Sequence, residues 1–95
     1  MTAIVELTRV RVAPEHTEAF LAARPGMLAD FEADRAGFLG ARLVRLPGGE
    51  WLDIVDWRSA EDRAASREKG ANRPGIAAFF ATIDEVISAE DGEAA

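Results

Sequence analysis

The stretch 50–58, EWLDIVDWR, limits what this chain can fold into more than any other. Read as a strand, it places Trp51, Asp53, Val55 and Trp57 on one face and Leu52 and Ile54 on the other. Both faces are therefore apolar, and both need cover. Pro47-Gly48-Gly49 just before it is a turn signal, and 38–46 (FLGARLVRL) reads as another strand. The two form a hairpin.

Residues 3–12 (AIVELTRVRV) are rich in β-branched and apolar residues and read as a first strand, with Ile4, Val10 and Val12 on one face and Val5 and Leu7 on the other. Pro14 stops it and suits the first turn of a helix. Phe20, Ala23, Met27, Leu28 and Phe31 then share a helical stripe. Pro25-Gly26 interrupts this stripe, and a mid-helix proline costs about 3 kcal/mol, so a kink or break is expected there. Ser59 is placed to cap a second helix whose first turn holds Glu61 and Asp62 and whose end is marked by Arg67, Lys69 and Gly70. After Asn72-Arg73-Pro74-Gly75, the residues Ile76, Phe79, Phe80, Ile83, Val86 and Ile87 follow helical spacing. The last eight residues have little strand propensity and read locally as a frayed tail or a short edge strand.

This order predicts a single domain over 1–95 of the α+β class: a ferredoxin-like sandwich, an antiparallel sheet with helices on one face. The first and third strands are expected at the centre, parallel to one another. Helices cover one sheet face only, so the apolar residues of the other predict a homodimer packed through it. A chain of 95 residues buries only about 60–65% of its unfolded surface, which also favours association.

Composition removes whole classes of function. There is no cysteine, hence no disulfide, thiolate metal site or cysteine nucleophile, and the single histidine, His16, cannot build a multi-histidine metal centre. A formal net charge of −6 opposes nucleic-acid binding. No apolar run approaches the roughly 20 residues of a membrane span. The amino-terminal residues carry no basic cluster or long apolar stretch, so a cytoplasmic location is expected. No glycine-rich phosphate loop follows a strand, and no nucleotide or flavin cofactor is expected.

What remains points to the third strand. Asp53 lies between two indoles, and an apolar wall makes a carboxylate a better base, while the indoles can stack on a flat ligand. The competing reading makes Trp51 and Trp57 core residues and pairs Asp53 with an arginine. Arg9, Arg11, Arg42, Arg45 and Arg58 lie on strands, where they neutralise Asp53, Asp56 or Glu6 or hold an anionic ligand oxygen. His16, beside Glu15 and Glu18, is expected to be exposed. Phe79 and Phe80 read first as core, and Thr8 as a hydrogen-bonding group on the first strand.

Four stretches, EHTEAFLAARPGM, GFLGARLVRL, PGGEWLDIVDWRSAED and PGIAAFFATIDEVIS, together resemble the antibiotic biosynthesis monooxygenase domains of the dimeric α/β-barrel superfamily. Trp57 to Asp62 is the most specific part. The resemblance implies that 88–94 form a fourth strand and that two sheets face each other in a dimer. It further implies a cofactor-independent monooxygenase acting on a small aromatic or quinol-type metabolite with molecular oxygen, without metal or flavin. Asp53 and Trp57 then occupy the catalytic positions, and Thr8, Trp51, Val55, Phe79 and Phe80 bind substrate. Those oxygenases carry an asparagine where this chain has Asp53, and a tyrosine on the following helix that this chain lacks. Haem-degrading relatives fit poorly, since Thr8 replaces their first-strand asparagine and 59–81 contain no tryptophan or histidine. The alternative function is a non-catalytic dimeric protein of the same fold, binding a small molecule or filling its cavity with its own side chains.

Overall fold

The computed structural model describes residues 2–95; Met1, part of the amino-terminal reading above, lies outside them. The chain runs β1 (Ile4–Arg11), a 3-10 turn (Pro14–His16), α1 (Thr17–Asp34), β2 (Phe38–Leu46), a second 3-10 turn (Pro47–Gly49), β3 (Glu50–Trp57), α2 (Ala60–Lys69), α3 (Pro74–Phe80) and β4 (Glu85–Glu93). The strands form one sheet in the order β2-β3-β1-β4, every neighbouring pair antiparallel. This is the expected ferredoxin-like α+β fold.

The parallel pairing expected for the first and third strands is corrected. β1 and β3 are central neighbours but antiparallel, with Thr8 opposite Asp53 and Val10 opposite Trp51. The reason is the hairpin: α1 returns the chain so that β2 runs with β1, and β3, inserted between them, must run against both. Gly48 and Gly49 at φ 76° and 77° make that reversal, in a backbone region that side chains disfavour.

The expected break at Pro25 is absent, and α1 continues from Thr17 to Asp34. Phe20, Met27 and Phe31 are buried on both sides of the proline, and their shared burial offsets the lost backbone bond. Gly26 next to it has a packing role, since α3 crosses α1 there with Gly75 against Gly26.

The long closing helix is corrected too. α3 ends at Phe80, while Val86 and Ile87 belong to β4, which starts at Glu85 rather than 88. Past Phe80, Asp84 N–H donates to the Arg11 carbonyl at 3.0 Å and the Asp84 carboxylate accepts from Ala13 N–H at 2.7 Å. Two bonds thus pin the chain to the end of β1, and the β-branched pair continues into the ladder. Ser59 caps α2 as expected, its hydroxyl accepting from Asp62 N–H at 3.2 Å. Ser59→Ala is expected to cost about 1 kcal/mol, read as a lower urea midpoint at unchanged slope.

The core lies between the sheet and α1 and α3. Phe20 is completely buried, its ring 5.2 Å from that of Trp51 and 4.8 Å from that of Phe79. On the opposite sheet face Leu7 faces Ile54 and Val44 faces Leu52, all half-buried and without a helix over them. Arg9 and Arg11 border this patch through Glu50, at 2.8 and 3.1 Å. Among the described residues, no helix is long and apolar enough to cross a membrane.

Candidate functional site

A cavity of about 370 Å³ lies between the helix-facing side of the sheet and α1 and α3. Phe20, Met27, Phe31, Val55 and Phe79 form mostly apolar walls, and the half-open side chains of Phe80 and Val86 stand at its mouth. The polar groups on the sheet side are Glu6 and Thr8 on β1 and Asp53 on β3, and α2 adds Arg63 and Arg67. Strand alternation places the three sheet residues, because Glu6, Thr8 and Val10 share a face and Thr8 is the cross-strand partner of Asp53.

Asp53 is an ion-paired carboxylate. Arg24 Nη2 donates to its Oδ1 at 2.9 Å, and both side chains are nearly nine-tenths buried. The Arg24 guanidinium lies 5.4 Å from the centre of the Phe79 ring, and its Nη1 is buried without a hydrogen-bond partner. One oxygen of Asp53 is thus held by the helix, and the side chain still reaches the cavity wall.

The strand arginines do other things. Arg9 and Arg11 bind Glu50, Arg58 binds Asp62, and Arg45 lies over the Trp51 ring. Arg24 was legible in principle: positions 20, 24, 27 and 31 form one helical stripe, and an arginine on a buried stripe requires an acceptor.

Of the residues singled out from sequence, Thr8, Asp53, Val55, Phe79 and Phe80 line this cavity. Trp51 does not; it is sealed between Phe20 and Arg45. Trp57 is also absent from its walls, and borders an adjoining cavity of about 220 Å³. Its indole Nε1 donates to Glu6 Oε1 at 3.0 Å, and Glu6 Oε2 accepts from Arg63 at 3.1 Å. Sequence reasoning missed Glu6, Arg63 and Arg67, which line both cavities.

His16 is exposed but not idle. Its Nδ1 lies 3.0 Å from both oxygens of Asp84, between the cavity-lining Ile83 and Val86 in sequence. That hydrogen bond, with the Asp84 charge, raises the imidazole above its ordinary value, and the Ala13 N–H, then His16, lowers Asp84. A raised histidine stabilises fully below the unfolded value of about 6.5, and the contribution is lost as pH rises through the folded one. His16→Asn is therefore expected to be less stable than the parent at pH 6, the gap closing towards pH 9. A gap independent of pH would show that the pair is not charged.

No group of three or more metal-ligating side chains occurs among the described residues. The fold and site define a class: a small α+β sandwich holding a mostly apolar, ligand-sized cavity under its helices, with a few polar groups in its walls. The family model for antibiotic biosynthesis monooxygenases matches residues 3–81, and the chain belongs to that family. No curated protein matches the chain in sequence. Among solved structures, a Bordetella bronchiseptica protein bearing the family's name superposes with a TM-score of 0.82 at 16% identity, over 100% of this chain and 99% of that one. A Caulobacter crescentus protein of the same name gives 0.79 at 18%, covering 99% and 91%. SnoaB from Streptomyces nogalater, a cofactor-independent oxygenase, gives 0.66 at 19%, covering 100% and 93%. At these identities the likeness is one of fold.

Proposed function

We propose that this protein is a cofactor-independent monooxygenase acting on a small aromatic or quinol-type metabolite with molecular oxygen. The observation that carries the reading is a carboxylate, Asp53, in the wall of a mostly apolar cavity beneath the helices. An electron-rich phenol or anthrone passes a proton to the carboxylate, and its anion reduces oxygen. One oxygen atom enters the substrate carbon and the other leaves as water, whose two hydrogens both come from the methylene carbon of an anthrone, or from the ring carbon and the hydroxyl of a phenol. Asp53 serves as proton acceptor, Thr8 as a hydrogen-bonding group, and Val55, Phe79 and Phe80 enclose the rings. Trp57 acts through Glu6, whose carboxylate it orients at 3.0 Å. Trp51 supports the wall from behind, through Phe20.

The working unit in this reading is a homodimer of one-domain chains, 1–95, in the cytoplasm, joined through the uncovered face around Leu7, Val44, Leu52 and Ile54. Sedimentation is expected to give a dimer at micromolar concentration; a clean monomer would remove that part of the proposal.

The test is oxygen uptake with a panel of anthrones and naphthoquinols, in chelated and flavin-free buffer, while tryptophan emission reports binding. Saturable uptake by one chemical class is expected. The Arg24–Asp53 pair favours a second reading, a dimer that binds such a molecule without reacting. Saturable binding with no product after prolonged exposure to air would select it.

A further inference from the structure

The two cavities adjoin, and Glu6, Phe31, Arg63, Arg67 and Phe80 belong to the walls of both. The charged groups at this junction differ in how they are occupied. Both oxygens of Glu6 are taken, by Trp57 and by Arg63, and Arg63 also reaches Asp91 at 3.3 Å. Arg35, in the wall of the smaller cavity, is held by Ser66, Asp34, Asn72 and the Gly70 carbonyl. Arg67 stands one turn along α2 from Arg63, and among the described residues it has no side-chain hydrogen bond or ion pair. Beside it at the junction is Phe80, a ring left 44% exposed.

We infer that Arg67 recognises an anion, and that the ligand of the larger cavity is an aromatic carboxylate. Its rings lie in the larger cavity against Phe31 and Phe80, and its carboxylate sits on the Arg67 guanidinium. The inference rests on the cavity being a ligand site, as in the proposed function, and names what distinguishes its ligand. A planar guanidinium matches a carboxylate with two parallel hydrogen bonds, and the neighbouring acids are already engaged by other donors. The net charge of −6 disfavours anions in general. At physiological salt, however, charges beyond about 8 Å are largely screened while a contact pair is not, so the local guanidinium decides.

The experiment is calorimetric titration of the full chain with 2-naphthoate and with methyl 2-naphthoate, repeated with Arg67→Met and Arg67→Lys. The parent is expected to bind the carboxylate roughly tenfold more tightly than the ester, with the ratio shrinking in high salt. Arg67→Met abolishes the ratio and leaves ester binding in place, and Arg67→Lys retains part of it. Arg67 has no partner to lose, so thermal unfolding of these variants is expected to match the parent. Equal affinity for acid and ester in the parent, or a preference surviving in Arg67→Met, overturns the Arg67 assignment while the cavity remains a ligand site. No saturable binding of either compound overturns both.

Discussion

Replacing Arg24 with methionine is expected to destabilise the protein by about 3 kcal/mol, and replacing Asp53 with asparagine at the same time is expected to recover most of that loss. The single change leaves Asp53, 13% exposed, as a carboxylate without its cation inside an apolar wall. Breaking a buried pair from one side costs about 3–5 kcal/mol, because the remaining charge keeps its desolvation penalty and loses its partner. The lower end applies here, since Arg24 also carries a buried Nη1 with no acceptor, a penalty that methionine removes. For a domain of this size the loss corresponds to a fall of more than about 10 °C in thermal midpoint.

The double variant, Arg24→Met with Asp53→Asn, contains no buried charge at this position and is expected within about 1 kcal/mol of the parent. Urea unfolding of the parent, both single variants and the double variant gives the coupling energy directly. An Arg24→Met protein as stable as the parent would mean that the pair does not hold α1 to the sheet. The same four proteins separate stability from chemistry. If Asp53 is the proton acceptor, the double variant folds and binds but takes up no oxygen, and Asp53→Ala is equally inactive. Full activity in either removes Asp53 from the mechanism.

Much of the fold was legible because its signals are local. Strand alternation at 50–58, the Pro47-Gly48-Gly49 turn and the Ser59 cap depend on neighbours in sequence, and each stands where expected. Two of the errors share one physical source, which is tertiary contact overriding a local signal. Pro25 lies within a helix because Phe20, Met27 and Phe31 are buried on either side of it. Val86 and Ile87 fit helical spacing with Ile76 and Phe79, but the Asp84 bonds to Arg11 and Ala13 commit them to the sheet.

At the site, alternation put Asp53 and Val55 on one strand face, and both line the cavity, as does Thr8, which no spacing marks out. It could not show that Trp51 is sealed behind Phe20, because both tryptophans share a face with Asp53. Ion-pair partners were the least legible feature. Arg24 and Asp53 are 29 positions apart, Glu6 and its partner Arg63 come from β1 and α2, and nothing local links either pair.

Gly26 and Gly75 face each other where α1 and α3 cross, yet alanine at the two positions is expected to have opposite effects. A β-carbon on Gly75 would press into the Gly26 carbonyl oxygen and lie 2.7 Å from both the Gly26 carbonyl carbon and Asp30 Oδ2. Two of these atoms are backbone and cannot rotate away. The third accepts the Gly75 N–H at 2.7 Å, the bond that ties the start of α3 to α1. α3 must therefore back off, loosening that bond and the packing of Ile76 and Phe79, which are 0% and 1% exposed. Overpacking of about 1–3 kcal/mol and a weakened charge-assisted hydrogen bond together put Gly75→Ala at about 3 kcal/mol. Because α3 also carries two cavity phenylalanines, ligand affinity is expected to fall with stability. A β-carbon on Gly26 meets only the Gly75 α-carbon, at 3.8 Å, an ordinary contact. Alanine there gains helix propensity of up to about 1 kcal/mol, so Gly26→Ala is expected to be neutral or stabilising. Denaturant unfolding of the two variants is the comparison, and equal losses in both would mean that the helices do not cross at this pair.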